Sequence, residues 1–422
     1  MSYGPFFIFR YLDSIPESGH LSIRARPACY NEIHTCMVSE TRMNIVSNHQ
    51  TLPDAAWLLA LTGIPGVGNK TLLALLRSFG TGRAVWQAAL NTNEALSGVR
   101  PATLSALRTH TPTLDPASLW NDFHASFPDI RIIGYTDTDF PALLREIPDA
   151  PILLYVRGPF DWRMNRPMIT IVGTRRPSTY GRQVVQDFSR HLSRAGFVIV
   201  SGLAFGIDGL AHQATLDNDG TTLAVIGSGV DDVSISPQSH LPLAHQIIKQ
   251  GGAIISELAP GTQAAVHTFP SRNRIMAGMS PATLVIEAAE RSGTLITARL
   301  ALEYDRDVLA IPGSLFSPGS IGCHRLIQNG AKLITCLEDI LEEFPTATAL
   351  VTPDHPSNER TLPPLSENET ALLSLLTRES LHIDQIIRQT KRSANEITSD
   401  LTLLEMKGLA KNIGGMHYRR IR

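Results

Sequence analysis

In the middle of the chain, short apolar runs alternate with stretches of helical periodicity. We predict seven strands from these runs: ITIV (169–172), FVIV (197–200), LAVI (223–226), AIIS (253–256), TLVIE (283–287), VLAI (308–311) and KLIT (332–335). After the first run, Val185, Phe188 and Leu192 lie at the spacing of one helical face. Near-continuous apolar strands between helices indicate a parallel sheet covered on both faces. The predicted fold class is α/β, with a Rossmann-like doubly wound, mostly parallel sheet at 130–344.

A helical module is predicted before the sheet, at residues 51–125. An apolar helix ends near Leu61, the turn Gly-Ile-Pro-Gly-Val-Gly follows, and a second helix begins near Asn69. This pattern is typical of a helix-hairpin-helix (SAM-like) module, whose hairpin amides can point at a DNA phosphate. The segment LSGVRPATLSALRTH (96–110) resembles a degraded second copy. A tight turn that only packs two helices would have the same pattern, so both interpretations stay open.

A small module is predicted at the C-terminal end. Residues 345–364 contain five prolines and indicate a linker. In residues 365–422, HIDQIIRQT predicts one helix, KRS a turn, and Ser393 the N-cap of a second helix. Two strands around Gly414–Gly415 complete a winged helix. Contact with DNA and contact with a protein partner are both open for this module.

The N-terminal tail and the composition add limits. Residues 1–50 are expected to be disordered or wrongly included, with Met43 as an alternative start. No apolar stretch approaches the roughly 18 residues of a membrane span, and the N-terminal apolar run lacks a basic region before it. The four cysteines form no C-x-x-C pair, which favours reduced thiols in the cytoplasm. The formal net charge is −2, so any nucleic-acid site must be a local patch.

The loops that follow the predicted strands carry the candidate chemistry. They read GTRRPSTYG, SGLAFGIDGLAH, GSGVDD, FPSRNRIMAG, ERSGTLITA and PGS in chain order. Glycines and small hydroxyls suit phosphate binding, and arginine grips phosphate oxygens bidentately. A row of such loops at one sheet edge suits a ligand that is itself a row of phosphates. Five arginines are expected to converge there: Arg175, Arg176, Arg272, Arg274 and Arg291. The alternative for some of them is a structural ion pair with Asp208, Glu257 or Glu287.

A catalytic or metal site is not predicted. The sequence contains no G-x-S-x-G elbow, H-E-x-x-H motif or P-loop. His212 follows Asp208 by four residues, which allows acid–base chemistry, but local packing is the favoured interpretation. The other histidines of the central region lack metal-ligand spacing. No cofactor is expected.

Together the loops resemble a known family. IVGTRRPSTYG, SGLAFGIDGLAH, FPSRNRIMAGMS, SGTLITARLALE and IPGSLFSPGSIGCHRLIQNGAKLI are similar, in order, to motifs of the DNA-processing protein A family (DprA/Smf). The resemblance covers about 130–344, and the end modules fit longer members. It implies a single-stranded DNA-binding protein of natural transformation that protects incoming DNA and loads the RecA recombinase. It further implies a non-catalytic homodimer.

The resemblance also nominates residues. The implied DNA-binding residues are Gly173, Thr174, Arg175, Arg176, Ser201, Gly202, Arg272, Asn273, Arg274, Ser292, Gly293 and Thr294. The implied surface for self-association and RecA contact carries His324, Ile327, Gln328 and Leu333. Phe205 departs from the arginine or leucine of many members; it could stack a base, for roughly 1–3 kcal/mol, or be buried. ISPQ (235–238) replaces a common Tyr-Pro pair and alters that rim.

Two other functions compete with this one. Nucleotide phosphoribohydrolases of a related Rossmann variant carry P-G-G-x-G-T-x-x-E, and ERSGTLITA lacks the double glycine and the trailing glutamate. A pure adaptor would use the Rossmann domain only to dimerise, and the arginine-bearing loops argue against it.

Overall fold

The computed structural model describes residues 52–91, 99–164, 166–344, 365–377 and 380–420. These residues fall in two compact units, one before and one after the proline-rich segment. The predicted tail (1–50), with its alternative start, and the predicted linker (345–364) lie outside the described residues. Cys323 and Cys336 are free thiols. No helix in the described part of the chain is long and apolar enough to cross a membrane.

The larger unit is built on one nine-stranded sheet. Its strands are β1 Ile130–Gly134, β2 Leu153–Arg157, β3 Met168–Val172, β4 Val198–Ser201, β5 Thr221–Val225, β6 Ala253–Ser256, β7 Ala282–Val285, β8 Asp307–Ala310 and β9 Lys332–Leu333. Their order across the sheet is β1-β2-β6-β5-β4-β3-β7-β8-β9. Strands β3 to β9 are parallel, and all seven were predicted. Strands β1 and β2 lie outside the predicted set and extend the sheet in antiparallel pairings.

Helices cover both faces of the parallel strands. They are α6 Ala142–Glu146, α7 Thr179–Arg194, α8 Ile207–Leu216, α9 Leu241–Lys249, α10 Thr268–Met279, α11 Thr294–Glu303, α12 Ile321–Gln328 and α13 Leu337–Leu341. Along β4, Val198 and Val200 belong to one apolar cluster and Ile199 to the other. Because each face is buried, successive residues are all apolar, which explains the unbroken apolar runs.

The N-terminal helices pack on the antiparallel end of the sheet. They are α1 Asp54–Thr62, α2 Asn69–Phe79, α3 Gly82–Leu90, α4 Pro101–His110 and α5 Pro116–Ser126. The predicted hairpin lies between α1 and α2. The Asp54 carboxylate accepts hydrogen bonds from the Gly82 amide (2.8 Å) and the Arg83 amide (2.9 Å) at the start of α3, and from the Thr136 hydroxyl (2.5 Å) after β1. These bonds tie the helical module to the sheet, and both share one apolar core.

The smaller unit is a winged helix. It contains α14 Glu367–Leu375, β10 Leu381–His382, α15 Ile383–Thr390, α16 Ala394–Met406, β11 Ala410–Asn412 and β12 His417–Arg420. The antiparallel sheet order is β10-β12-β11. The Ser393 hydroxyl accepts from the Glu396 amide and caps α16, and Ile397, Leu401 and Leu404 are buried. The predicted N-cap and core positions of this unit are confirmed.

Candidate nucleic-acid interface

The loop after β3, residues 173–176, is held by a buried carboxylate and is here called the basic loop. The Thr174 amide donates to the Glu287 carbonyl oxygen (2.8 Å), and the Ser178 amide donates to Glu287 Oε2 (2.9 Å). Glu287 itself is buried. Arg175 and Arg176 are both exposed. Their charged side chains therefore extend from a backbone that the hydrogen bonds to Glu287 already fix.

The loop after β4, residues 202–206, touches the basic loop through its backbone. The Ile207 amide donates to the Thr174 carbonyl oxygen over 3.2 Å. Gly206 has φ +80°, and a Cβ there would lie 2.4 Å from the Thr174 carbonyl oxygen and 2.6 Å from the Arg175 carbonyl carbon. Only glycine permits both this conformation and this approach. The two loops therefore form one continuous surface.

Two buried groups of opposite charge lie near each other beneath these loops. Arg272, from α10, is 5% exposed, and its Nη1 donates to the Val225 carbonyl oxygen over 2.6 Å. A Cβ on Gly202 would lie 1.9 Å from Arg272 Nη1 and 2.5 Å from Asp208 Oδ2, so this glycine makes room for both groups. Burial raises the pKa of Asp208, and the Arg272 charge acts in the opposite direction. Arg272 is thus part of the base of the site.

His212 supports the same loop from below. Its Nε2 accepts from the Leu203 amide over 3.3 Å, and its Nδ1 lies 2.7 Å from Thr222 Oγ1, which donates to the Ile199 carbonyl oxygen. Leu203 has φ +56°, a backbone conformation that needs such support. Burial lowers the pKa of His212 to about 3, so the ring is neutral. The local-packing interpretation of His212 is confirmed.

Aromatic side chains flank the two loops. The Arg175 guanidinium lies over the Phe269 ring, 5.1 Å from its centroid. Phe205 is 51% exposed, and its ring meets the His240 ring edge-on at 5.1 Å. Phe205 is therefore not buried, which removes one of its two predicted alternatives. Phe269 and His240 were not nominated from the sequence; the place of Phe269 at the head of the FPSRN motif was the available signal.

Five nominated residues are enclosed rather than open: Ser201, Gly202, Arg272, Arg274 and Thr294. Ser201 is buried, and its hydroxyl donates to the Ile171 carbonyl oxygen over 2.7 Å. The Arg274 side chain forms an ion pair with Glu257 through Nη2, and its Nε lies 3.9 Å from Asp149 Oδ2. With Arg272, these side chains occupy the scaffold under the loops.

The expected convergence of five arginines needs a correction. Arg274 forms the ion pair with Glu257 that the alternative allowed. Arg272 is also enclosed, but it donates to the Val225 carbonyl oxygen. The arginines exposed at the edge are Arg175, Arg176 and Arg291. The predicted surface therefore carries three cationic side chains where five were expected.

The loop after β7 presents a helix N-terminus. The Thr294 amide donates to Ser292 Oγ over 3.2 Å, and α11 begins there. Gly293 is exposed, with open space around its Cβ position, and Asn273 on α10 is half-buried. A helix N-terminus favours negative charge through its amides and dipole. Ser292, Gly293 and Thr294 thus form an anion-compatible turn.

The nominated self-association residues lie at the β9 end of the sheet. Gln328 and Leu333 are exposed, while Ile327 packs partly against the core. His324 Nε2 lies 3.1 Å from the Gly313 carbonyl oxygen, within the loop that follows β8. Two of the four residues are therefore open at the surface.

Exposed apolar side chains gather at the same edge as the arginines. They lie in the loops after β4, β5, β6 and β8: Phe205, Val233, Val266, Leu315 and Phe316. Among the described residues, no group of three or more His, Cys, Asp or Glu side chains could hold a metal ion. Cations, loop amides and exposed apolar groups together suit an anionic polymer whose units also carry flat apolar faces.

Family models, individual relatives and a solved structure all match overlapping parts of this chain. Residues 131–345 match the family model described as DNA recombination-mediator protein A, and residues 356–416 match the DprA winged helix domain. Protein Smf from Synechocystis sp. is 32% identical over 401 residues, covering 87% of this chain and 99% of the relative. DNA processing protein DprA from Streptococcus pneumoniae is 44% identical over 231 residues, covering 55% and 79%. The X-ray structure of DprA from that organism superposes with a TM-score of 0.58 at 35% identity, covering 69% of this chain and 98% of that one.

Proposed function

Because this chain belongs to the DNA-processing protein A (DprA/Smf) family, we propose that it binds single-stranded DNA in natural transformation, protects the strand and loads the RecA recombinase onto it. The observation that carries the proposal is the set of groups exposed at the carboxyl edge of the parallel strands. Exposed arginines, a helix N-terminus and exposed aromatic rings occupy the loops at the carboxyl ends of neighbouring parallel strands.

The phosphate grip is assigned to the basic loop. Its backbone is fixed by Glu287 on one side and by Gly206 on the other. Arg175 and Arg176 therefore pay little conformational entropy in the backbone when they bind. The exposed Gly293 backbone at the start of α11, beyond the neighbouring strand β7, adds a second phosphate contact.

The preference for a single strand follows from the aromatic groups. Phe205 is exposed, and Phe269 is partly exposed with one ring face against the Arg175 guanidinium. In a duplex the bases are stacked on one another, so only unpaired bases can use such rings. We therefore expect binding that is tolerant of sequence and stronger for a single strand than for a duplex.

The role is binding rather than catalysis. The polar groups under the loops are committed to structure: His212 is neutral and bonded at both nitrogens, and Arg272 faces Asp208. We assign the exposed Gln328 and Leu333 to contact with a second copy of the chain and with RecA, and we place the protein in the cytoplasm. Replacing Leu333 by Asp should lower self-association, measured by sedimentation velocity, without changing single-strand affinity.

The direct test is fluorescence anisotropy of a labelled single strand and of an equal-length duplex at two salt concentrations. Three exposed arginines, at about 0.7 per neutralised phosphate, give a slope of about −2 in log K against log salt. A fourfold rise in salt should then weaken single-strand binding about twentyfold. Duplex binding should be weaker at both salts. Binding to neither substrate, or binding independent of salt, would refute the proposal and favour the nucleotide-hydrolase alternative, which product analysis with AMP would test.

A further inference from the structure

The loop after β8, residues 311–320, is here called the β8 loop, and it exposes two adjacent large apolar side chains. Phe316 is 96% exposed and Leu315 is 82% exposed. Among the described residues of the larger unit, Val266 is the one other large apolar side chain above four-fifths exposure. Two adjacent apolar side chains this exposed form a small apolar patch that is available for an external contact.

The base of the β8 loop is anchored. The Tyr180 hydroxyl donates to the Pro312 carbonyl oxygen over 2.7 Å, and His324 Nε2 lies 3.1 Å from the Gly313 carbonyl oxygen. At the tip, the amides of residues 316 and 317 bond to Ser314 over 3.3 and 3.0 Å. The Phe316 ring therefore extends from a turn that is hydrogen-bonded both at its base and at its tip.

The anchor also connects the β8 loop to the basic loop. Tyr180 lies in the first turn of α7, four residues after Arg176. Strand β8 is separated from β3 by β7 alone, so the two loops leave the sheet about 10 Å apart at the usual strand spacing. A single strand bound at the basic loop needs only a few nucleotides to reach Phe316.

Charge at this end of the edge does not oppose a phosphate chain. The β8 loop has no acidic residue. The Glu287 carboxylate beneath it is buried and accepts the Ser178 amide, and Glu290 is paired with Arg325 at 2.6 Å. The neighbouring carboxylates are thus enclosed or neutralised by a partner.

We propose that Phe316, supported by Leu315, is a second base-stacking platform for the DNA strand that the basic loop holds. This inference rests on the proposed function and deepens it: the footprint runs along the edge to the β8 end of the sheet. The occupant is a base of the same strand, because the platform continues the surface of arginines and exposed rings. A second copy of the chain is the competing occupant, and the test separates the two.

The test uses the full chain with Phe316→Ala, Phe316→Tyr and the control Leu302→Ala. Leu302 is also an exposed apolar residue, but it lies in the last turn of α11 and so at the opposite edge. Single strands of graded length are titrated by anisotropy, and thermal unfolding verifies that each variant folds. Phe316→Ala should lose at least about fivefold in affinity for a 20-nucleotide strand, the lower end expected for one base–aromatic stack. Strands too short to extend from the basic loop to Phe316 should bind as they do to the wild type.

Three further readouts make the assignment specific. Phe316→Tyr should restore affinity because it keeps the ring, and Leu302→Ala should have no effect. The salt slope should be unchanged in Phe316→Ala because no charge is removed. Unchanged long-strand affinity in Phe316→Ala overturns the inference alone. A shift of Phe316→Ala from dimer to monomer with DNA affinity intact overturns it in favour of self-association. Failure of the wild type to bind any single strand overturns the proposed function as well.

Discussion

Arg175 and Arg272 provide a matched pair of substitutions, because the structure gives them opposite roles. Arg175 is exposed on the basic loop, whereas Arg272 is buried opposite Asp208. We expect Arg175→Met to lower DNA affinity at nearly unchanged stability. We expect Arg272→Met to lower the free energy of unfolding, and to reduce binding only through the loops that it supports.

The magnitudes follow from burial. Removing one partner of a directly bonded buried ion pair costs about 3–5 kcal/mol. The lower end, about 3 kcal/mol, applies here because Arg272 acts on Asp208 through its charge, and the backbone at Ala204 and Gly202 also lowers the pKa of that carboxyl. Arg175→Met forfeits one exposed cation–π contact with Phe269, about 0.5–1 kcal/mol. Its salt slope for a single strand should fall by about 0.7, the value of one phosphate contact.

A pH dependence identifies the cause of the Arg272 effect. Burial already raises the pKa of Asp208, and loss of the nearby guanidinium should raise it further. A carboxyl whose folded-state pKa is raised destabilises the fold when it is ionised, and that penalty disappears as pH falls through the folded-state pKa. The stability deficit of Arg272→Met should therefore shrink on acidification, and Asp208→Asn in the same chain should remove part of it.

The assays are urea unfolding followed by circular dichroism between pH 4 and 8, and anisotropy at several salt concentrations. The reasoning is refuted if Arg272→Met is as stable as the wild type and its salt slope falls by about 0.7, the value of one phosphate contact. It is equally refuted if Arg175→Met changes neither affinity nor slope.

Three other outcomes are expected. His212 is buried with its pKa lowered to about 3. The free energy of unfolding should therefore fall as pH drops below about 6.5, because the unfolded chain binds a proton that the folded protein does not. Urea titrations of His212→Gln should show a smaller decline. Gly206→Ala should cost at least about 1–3 kcal/mol and weaken single-strand binding in anisotropy, because its Cβ would strike the basic loop; Gly293→Ala, in open space, is the control and should leave stability unchanged. Lys407→Met should lower the melting temperature of the winged-helix transition alone in calorimetry, since Lys407 Nζ lies 2.6 Å from buried Glu369; a shift in the larger unit's transition would contradict this.

Local pattern accounts for the parts of the fold that were predicted. Strands buried on both faces have unbroken apolar runs, so β3 to β9 could be read from the chain. The capping of α16 by Ser393 depends on residues three apart. By contrast, β1 and β2 join the sheet through antiparallel contact with β6, about a hundred residues away from β2. No local pattern specifies that partner.

The burial of Arg272 and Arg274 is only partly predictable from the sequence. Arg272 shares the buried stripe of α10 with Ile275, Met276 and Met279, at helical spacing. That phase in the sequence marks Arg272 as inward-facing. Arg274 lies outside that stripe. Its enclosure depends on an ion pair with Glu257, the residue that follows strand β6.

The strand pattern alone predicts that the loops rich in glycine, hydroxyl and arginine residues lie along one edge, because parallel strands place all their carboxyl ends on the same side. The residue types in those loops also define the chemistry available there. Which of these side chains are open to a ligand depends on contacts between remote segments. Glu287 holds the basic loop in part through the Ser178 amide, 109 positions away, and Gly206 brings two loops into backbone contact. Such contacts depend on distances between segments that are remote along the chain, and burial then decides whether a charge pairs inside the protein or stays at the surface.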